Sequence, residues 1–111
     1  MEFRIILPIF TTMKDIINRL NPAFDQRNRL GIMALLVNED VLEYSTLKDL
    51  LDLTDGNLAS HLRALESQDY IRVEKTFIER KPRTSYRSTP VGKKAFSDHL
   101  KALEDLIEEV D

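Results

Sequence analysis

The sequence predicts a mainly α-helical fold with one small β-hairpin, in the order helix, helix, helix, helix, strand, strand, helix. Apolar residues recur every three or four positions as far as Asp69, the spacing that buries one face of a helix. The period shortens to two at Ile71 and Val73, as in a half-buried strand, and helical spacing returns after Thr89. A two-stranded ribbon is not stable alone in water, so the hairpin must pack against the helices.

Length and composition indicate one domain, residues 1–111. With 42% hydrophobic and 32% charged residues, the chain has the composition of a globular protein with a single modest core. The absence of cysteine excludes disulfides, zinc fingers and thiolate catalysis. The apolar run IILPIF is too short for a membrane span and lacks the flanks of a secretion signal, so we expect a cytoplasmic protein that does not engage a membrane.

The first two helices are marked by their spacing and their caps. Apolar residues at helical spacing predict a first helix from Thr11 to Leu20, with Ile16 and Ile17 on its apolar face. Asn21 is expected to cap the second helix, with Pro22 at its first position, where a missing N–H costs nothing. That helix should end near residue 38.

The third and fourth helices follow each other almost without a break. Ser45 is expected to cap the third, whose inward face is Leu47, Leu50 and Leu51, and Thr54 to cap the fourth. Two helices joined so closely form a helix-turn-helix, in which the second helix enters a DNA major groove.

The fourth helix carries small and polar residues opposite its leucines. Small side chains let a helix approach DNA closely, asparagine bonds adenine, arginine bonds guanine, and serine reaches bases or phosphates. A plain solvated surface is the alternative reading of this face. Its members are Gly56, Asn57, Ser60, Arg63, Ala64 and Ser67.

The hairpin that follows is the basic part of an acidic chain. The net charge is −3, yet residues 70–94 hold eight basic and two acidic residues, whereas residues 38–69 hold two and eight. We expect strands around Ile71 and from Thr84 to Ser88, joined by IERKPR because Pro82 does not suit the interior of a ladder. A cationic loop beside a groove-reading helix would neutralise phosphates or enter the minor groove; a solubilising charge run is the alternative. The basic residues concerned are Lys75, Arg80, Lys81, Arg83 and Arg87.

The last helix, from Pro90, has an apolar seam longer than a small domain needs, which predicts a homodimer. Packing on the first helix of its own chain is the alternative, and the two are compatible. The seam consists of Phe96, Leu100, Leu103, Ile107 and Val110.

From about Asn21 to Phe96, the order of motifs resembles that of small MarR-like winged helix-turn-helix transcriptional regulators. The stretches LTDGNLASHLRALESQDYIRVEKTF and RKPRTSYRSTPVGKKAF look like the recognition helix, the two wing strands with their basic tip, and the opening of the last helix of that family. The resemblance implies a dimeric regulator that binds double-stranded DNA, with the recognition helix in the major groove and the wing on the backbone or minor groove.

The resemblance also assigns positions. It places Asn57, Ser60, His61, Arg63 and Ala64 on the recognition helix, and Arg80, Lys81 and Arg83 at the wing tip. It divides the chain into an N-terminal dimerisation helix (1–20), a winged-helix core (21–89) and a C-terminal dimerisation helix (90–111). A winged-helix module that docks on proteins without binding DNA is the competing function. Whether a small-molecule effector exists is left open.

Motifs for catalysis are missing from the sequence. It contains no Gly-rich phosphate loop, no metal-ligand cluster and no recognisable Ser/His/Asp motif, so we predict no enzyme activity, no cofactor and no metal site. His61 and His99 are the only histidines; Asp98 with His99 across a dimer is a minor metal alternative. We expect His61 to bond a phosphate rather than a metal.

Overall fold

The computed structural model describes residues 13–110. The predicted helix starting at Thr11 and the run IILPIF therefore lie partly or wholly outside the described residues. Residues 13–19 are helical (α1) and are followed by a short 3-10 turn, Pro22–Phe24. The remaining elements are α2 (Arg27–Glu39), β1 (Val41–Glu43), α3 (Tyr44–Leu51), α4 (Asp55–Ser67), β2 (Ile71–Ile78), β3 (Lys81–Ser88) and α5 (Pro90–Val110).

The segment before α2 differs from the prediction. The Asn21 side chain accepts a hydrogen bond from the backbone N–H of Ala23 at 2.9 Å, so it caps the 3-10 turn and not a long helix. Gln26 then adopts an extended backbone (φ −83°, ψ 118°), which separates this turn from α2. Phe24 is thereby placed in the core.

A third strand, β1, was not predicted. Its three residues are too few to show an alternating pattern, and they pair antiparallel with β3, with Leu42 opposite Tyr86. Because Glu43 is still extended, α3 begins at Tyr44, and the predicted cap at Ser45 is wrong: Ser45 lies inside the first turn. Leu50, predicted to face inward, is 59% exposed, whereas Leu47 is fully buried.

The hairpin is longer than predicted, with strand order β1-β3-β2. Pro82 lies within β3, opposite Phe77, and not in a loop. The two-residue turn at Glu79 and Arg80 makes Ile78 and Lys81 the hydrogen-bonded closing pair, so the next pair is a non-hydrogen-bonded one. The imide nitrogen of Pro82 therefore points to the edge of β3 opposite β2. Because β1 pairs only with residues 85–87 of β3, Pro82 interrupts no hydrogen bond of the sheet.

One hydrophobic core joins the three central helices to the sheet and to the start of α5. Burial of each large side chain stabilises the fold by about 1.5–3 kcal/mol relative to exposure. The leucine stripe of α4 is buried as predicted. The buried cluster comprises Phe24, Ile32, Met33, Leu36, Leu47, Leu58, Leu62, Leu65, Ile71, Tyr86 and Phe96.

The start of α5 is fixed against the root of β2. Thr89 Oγ1 accepts the N–H of Gly92 at 2.9 Å and donates to the carbonyl of Asp69 at 2.6 Å, which confirms the predicted helix start. Farther along, Arg19 of α1 pairs with Asp105 of α5 at 2.7 Å. Hydrogen bonds from Lys101 and Arg19 lower the pKa of Asp105. The first and last helices therefore pack within one chain.

Candidate nucleic-acid interface

The turn between α3 and α4 is compact. Asp52 takes the left-handed conformation (φ 52°, ψ 51°), and the N–H of Leu53 returns to the carbonyl of Lys48 at 3.2 Å. The Thr54 hydroxyl then accepts the N–H of Asn57 at 3.2 Å, which confirms the predicted cap of α4. These bonds fix the direction in which α4 leaves α3.

The start of α4 is also tied to the start of α3. The Tyr44 hydroxyl donates to the carbonyl of Asp55 at 3.1 Å, and Lys48 Nζ lies 3.1 Å from the Asp55 carboxylate. Desolvation, and then the nearby carboxylate of Asp55, raise the pKa of Tyr44, so its hydroxyl remains a donor. The N-terminal ends of the two helices of the helix-turn-helix are thus held together.

The outer face of α4 is open. Asn57, Ser60 and Arg63 are exposed, Ala64 is half-buried, and the hydrogen bonds between described side chains use none of the side chains of these four residues. A Cβ added at Gly56 would meet no atom within 4 Å. The structure therefore brings the predicted groove-reading residues together on one accessible surface.

His61 lies at the edge of that face, turned toward α2. Its Nδ1 accepts a hydrogen bond from Nε of Arg29 at 3.2 Å, and the ring is half-buried. Burial, and then the positive charge of Arg29, lower the pKa of His61. Sequence reasoning missed Arg29, because its contact joins residues 32 positions apart and no local pattern reveals it.

Three exposed basic residues lie at the tip of the wing. Glu79 and Arg80 both have positive φ (53° and 68°), the geometry of a tight two-residue turn, here without glycine. Arg80, Lys81 and Arg83 are exposed, and none takes part in the ion pairs found among residues 13–110.

The two other hairpin residues predicted to contact DNA lie elsewhere. Arg87, at the root, binds the carboxylate of Glu74 at 2.7 Å, and this hydrogen bond, with the charge of Glu74, raises its pKa. Lys75 lies on the inner face of the wing, where it lines an open groove of about 660 Å³ with Tyr44, Val73 and Tyr86. The structure thus separates the tip cations from Arg87 and Lys75.

The predicted dimer residues fall into two groups. Ile16 and Phe96 are buried within their own chain (0% and 6% exposed). Ile17, Leu100, Ile107 and Val110 are exposed, and Leu103 is half-buried. Only the second group leaves apolar surface for a partner.

His99, the second histidine, belongs to the packing of the domain. Its Nδ1 accepts the backbone N–H of Asn21 at 3.0 Å, and its ring lies against that of Phe24. Burial lowers its pKa, opposed by the charge of Asp25. Within residues 13–110, no cluster of three or more His, Cys, Asp or Glu is placed to hold a metal ion. In the same range no helix is long and apolar enough to cross a membrane.

The arrangement described here, a helix-turn-helix followed by a basic hairpin, is that of a winged-helix DNA-binding domain. The family model of that description, "Winged helix DNA-binding domain", matches residues 28–107. The chain therefore belongs to the winged-helix DNA-binding domain family.

Relatives and solved structures narrow the class. The uncharacterized protein MJ0432 of Methanocaldococcus jannaschii is 35% identical over 77 residues, which are 69% of this chain and 84% of that protein. The transcriptional regulator homologue of Pyrococcus horikoshii OT3 has 32% identity and a TM-score of 0.79, over 89% of this chain and 96% of that one.

A MarR-family chain of Porphyromonas gingivalis W83 is similar in fold, with a TM-score of 0.50 and 21% identity, over 68% of this chain and 74% of that one. The predicted resemblance to winged helix-turn-helix transcriptional regulators is confirmed, and the likeness to the MarR-family chain is one of fold. Family and fold are those of transcriptional regulators and not of enzymes.

Proposed function

We propose that the protein is a homodimeric, sequence-specific transcription regulator that binds double-stranded DNA. In this proposal α4 enters the major groove and the wing tip contacts the backbone or minor groove. The proposal rests on one observation: the accessible face of α4 with Asn57, Ser60 and Arg63, together with the exposed basic residues of the wing tip. Arginine and asparagine supply base contacts there, and the tip supplies phosphate contacts.

Dimerisation through α5 is supported by its exposed apolar residues. Leu100, Ile107 and Val110 are 40%, 59% and 69% exposed, which is unfavourable for a free helix in water. A second copy packed along this seam would cover them and would present two α4 helices to one duplex. The two half-sites would then lie about 34–36 Å apart, one helical turn.

The test is selection of bound fragments from a random DNA pool, followed by affinity measurements over a range of salt concentrations. We expect a pseudo-palindromic site. Asn57→Ala should change the preferred sequence, with about 1–3 kcal/mol lost at one base pair. The absence of salt-dependent binding to any selected or genomic fragment would refute the proposal.

Two arginines of the wing form a matched pair for the same assay. Arg83→Ala should weaken binding to all sequences and lower the salt slope by about one unit. Arg87→Ala, which removes a cation already paired with Glu74, should lower the slope less. Equal effects of the two substitutions would contradict the assignment of phosphate contacts to the tip.

A protein-docking module is the second candidate, and one observation favours it: Phe77 and Ile78 are 75% and 49% exposed near the wing tip. For this function, Phe77→Ser should abolish activity in cells, whereas reversing the charges of Arg80, Lys81 and Arg83 should leave it intact. The DNA-binding proposal expects the charge reversal to be the damaging change.

A further inference from the structure

Arg29 and His61 meet where α2 passes beside α4. The guanidinium Nε donates to Nδ1 of the ring at 3.2 Å, and both residues are half-buried. Arginine usually pairs with a carboxylate, but none of the ion pairs found among residues 13–110 includes Arg29. A cation is therefore packed against an uncharged ring at the edge of the recognition face.

This contact determines where the imidazole carries its proton. A nitrogen that accepts a hydrogen bond has no proton of its own, so the neutral ring of His61 carries its proton on Nε2. The charge that faces the ring is that of Arg29 on α2, while the residues one turn away on α4 are uncharged. The ring is thus held as a donor through Nε2 at neutral pH.

The position of the pair suits an anion that approaches α4 from outside. Arg29 lines a shallow depression of about 370 Å³ together with Ala64 and Ser67, on the flank of the outer face of α4. The two terminal nitrogens of the guanidinium are not used by His61, so they and His61 Nε2 remain as donors. Phosphate oxygens accept such charge-assisted bonds.

We infer that Arg29 and His61 form a binding site for one DNA backbone phosphate, with Arg29 also positioning the His61 ring. The inference rests on the proposed function, and it adds a contact from α2, outside the helix-turn-helix and the wing.

The first test is made on the free protein by ¹⁵N NMR of the two histidine rings. His99 is an internal control, because its Nδ1 also accepts a hydrogen bond, from Asn21. In the wild type both rings should carry the proton on Nε2. Arg29→Met should give a tautomer mixture for His61 alone and should raise its pKa, because the charge of Arg29 is removed while the burial of the ring remains. An unchanged His61 spectrum would overturn the positioning role.

The second test is DNA affinity as a function of salt. Arg29→Met should weaken binding to every sequence and lower the salt slope by about one unit. Arg29→Lys should keep the slope, since the charge remains. His61→Gln, whose amide nitrogen reaches the place of Nε2, should bind nearly as the wild type, whereas the shorter His61→Asn should bind about ten-fold more weakly, the loss of one charge-assisted hydrogen bond.

The outcomes separate this inference from the proposed function. If the wild type binds DNA and folded Arg29→Met keeps its affinity and slope, the phosphate site is refuted while the DNA-binding function stands. If the wild type binds no DNA, the proposed function fails and the phosphate site with it. Urea unfolding of Arg29→Met establishes that a lost interaction is not lost folding.

Discussion

Gly92 is the position where the structure tolerates no side chain. An added Cβ would lie 2.8 Å from both the carbonyl carbon and Cα of Tyr70, and would overlap the carbonyl oxygen. The obstacle is backbone, so no side-chain rotation relieves it. The same carbonyl accepts the N–H of Thr89 at 3.0 Å, and this bond sets the start of α5.

The cost of Gly92→Ala follows from these contacts. Overpacking of this kind costs about 1–3 kcal/mol, and weakening the Thr89 hydrogen bond adds about 1 kcal/mol. The higher helix propensity of alanine offsets less than about 1 kcal/mol of this loss. We therefore expect the free energy of unfolding to fall by about 2 kcal/mol, and Tm by about 8 °C for a domain of this size.

Urea unfolding followed by circular dichroism at 222 nm measures this change. Protein concentration must be held constant, because dimerisation would contribute to apparent stability. Gly56→Ala is the matched control: its Cβ meets open space, so it should be neutral or should stabilise by up to about 1 kcal/mol. Gly92→Ala with wild-type stability would refute the argument that the approach of Tyr70 requires glycine.

Three further predictions concern dimerisation, pH and the helix-turn-helix. Ile107→Asp should give a one-chain mass by sedimentation, whereas Val91→Asp, at a similarly exposed position near the start of α5, should not; a wild type that is already monomeric would contradict the seam. Because the pKa of His99 is lowered, its neutral form contributes stability that is present above its unfolded pKa, about 6.5, and lost as pH falls below it. Urea unfolding between pH 8 and pH 5 should therefore show a smaller loss for His99→Gln than for the wild type. Asp52→Gly should stabilise by about 0.5–1 kcal/mol in the same assay, because glycine adopts the left-handed conformation without strain; a destabilised variant would show that the Asp52 side chain itself is needed.

Local patterns predicted the central elements because local physics determines them. Thr54 caps α4 and Thr89 begins α5 through bonds to residues three positions away, and the leucine stripe of α4 follows from helix geometry. The order of the helices and of the two hairpin strands needed nothing more.

Two kinds of feature escaped prediction: contacts between distant residues, and strands whose two faces are both exposed. β1 exists because β3 has a free edge, and its extended backbone delays α3 by displacing the expected cap at Ser45. The outer hairpin was missed because both of its faces are exposed, so it has no alternation of apolar and polar residues. The pairing of Arg87 with Glu74 was missed because it joins residues 13 positions apart, and charge counts do not show which cations are already paired.

One set of contacts links α5 to the helix-turn-helix. Asn21 donates its backbone N–H to His99 of α5 and its side-chain amide to the Tyr70 hydroxyl at 3.0 Å. Tyr70 lies at the root of β2, immediately after α4, and its carbonyl holds the start of α5. The orientation of α5 relative to α4 is therefore set within one chain by buried and half-buried bonds. In the proposed dimer, the distance between the two α4 helices would depend on this junction. The spacing of the DNA half-sites would therefore be set both by the junction and by the apolar seam of α5.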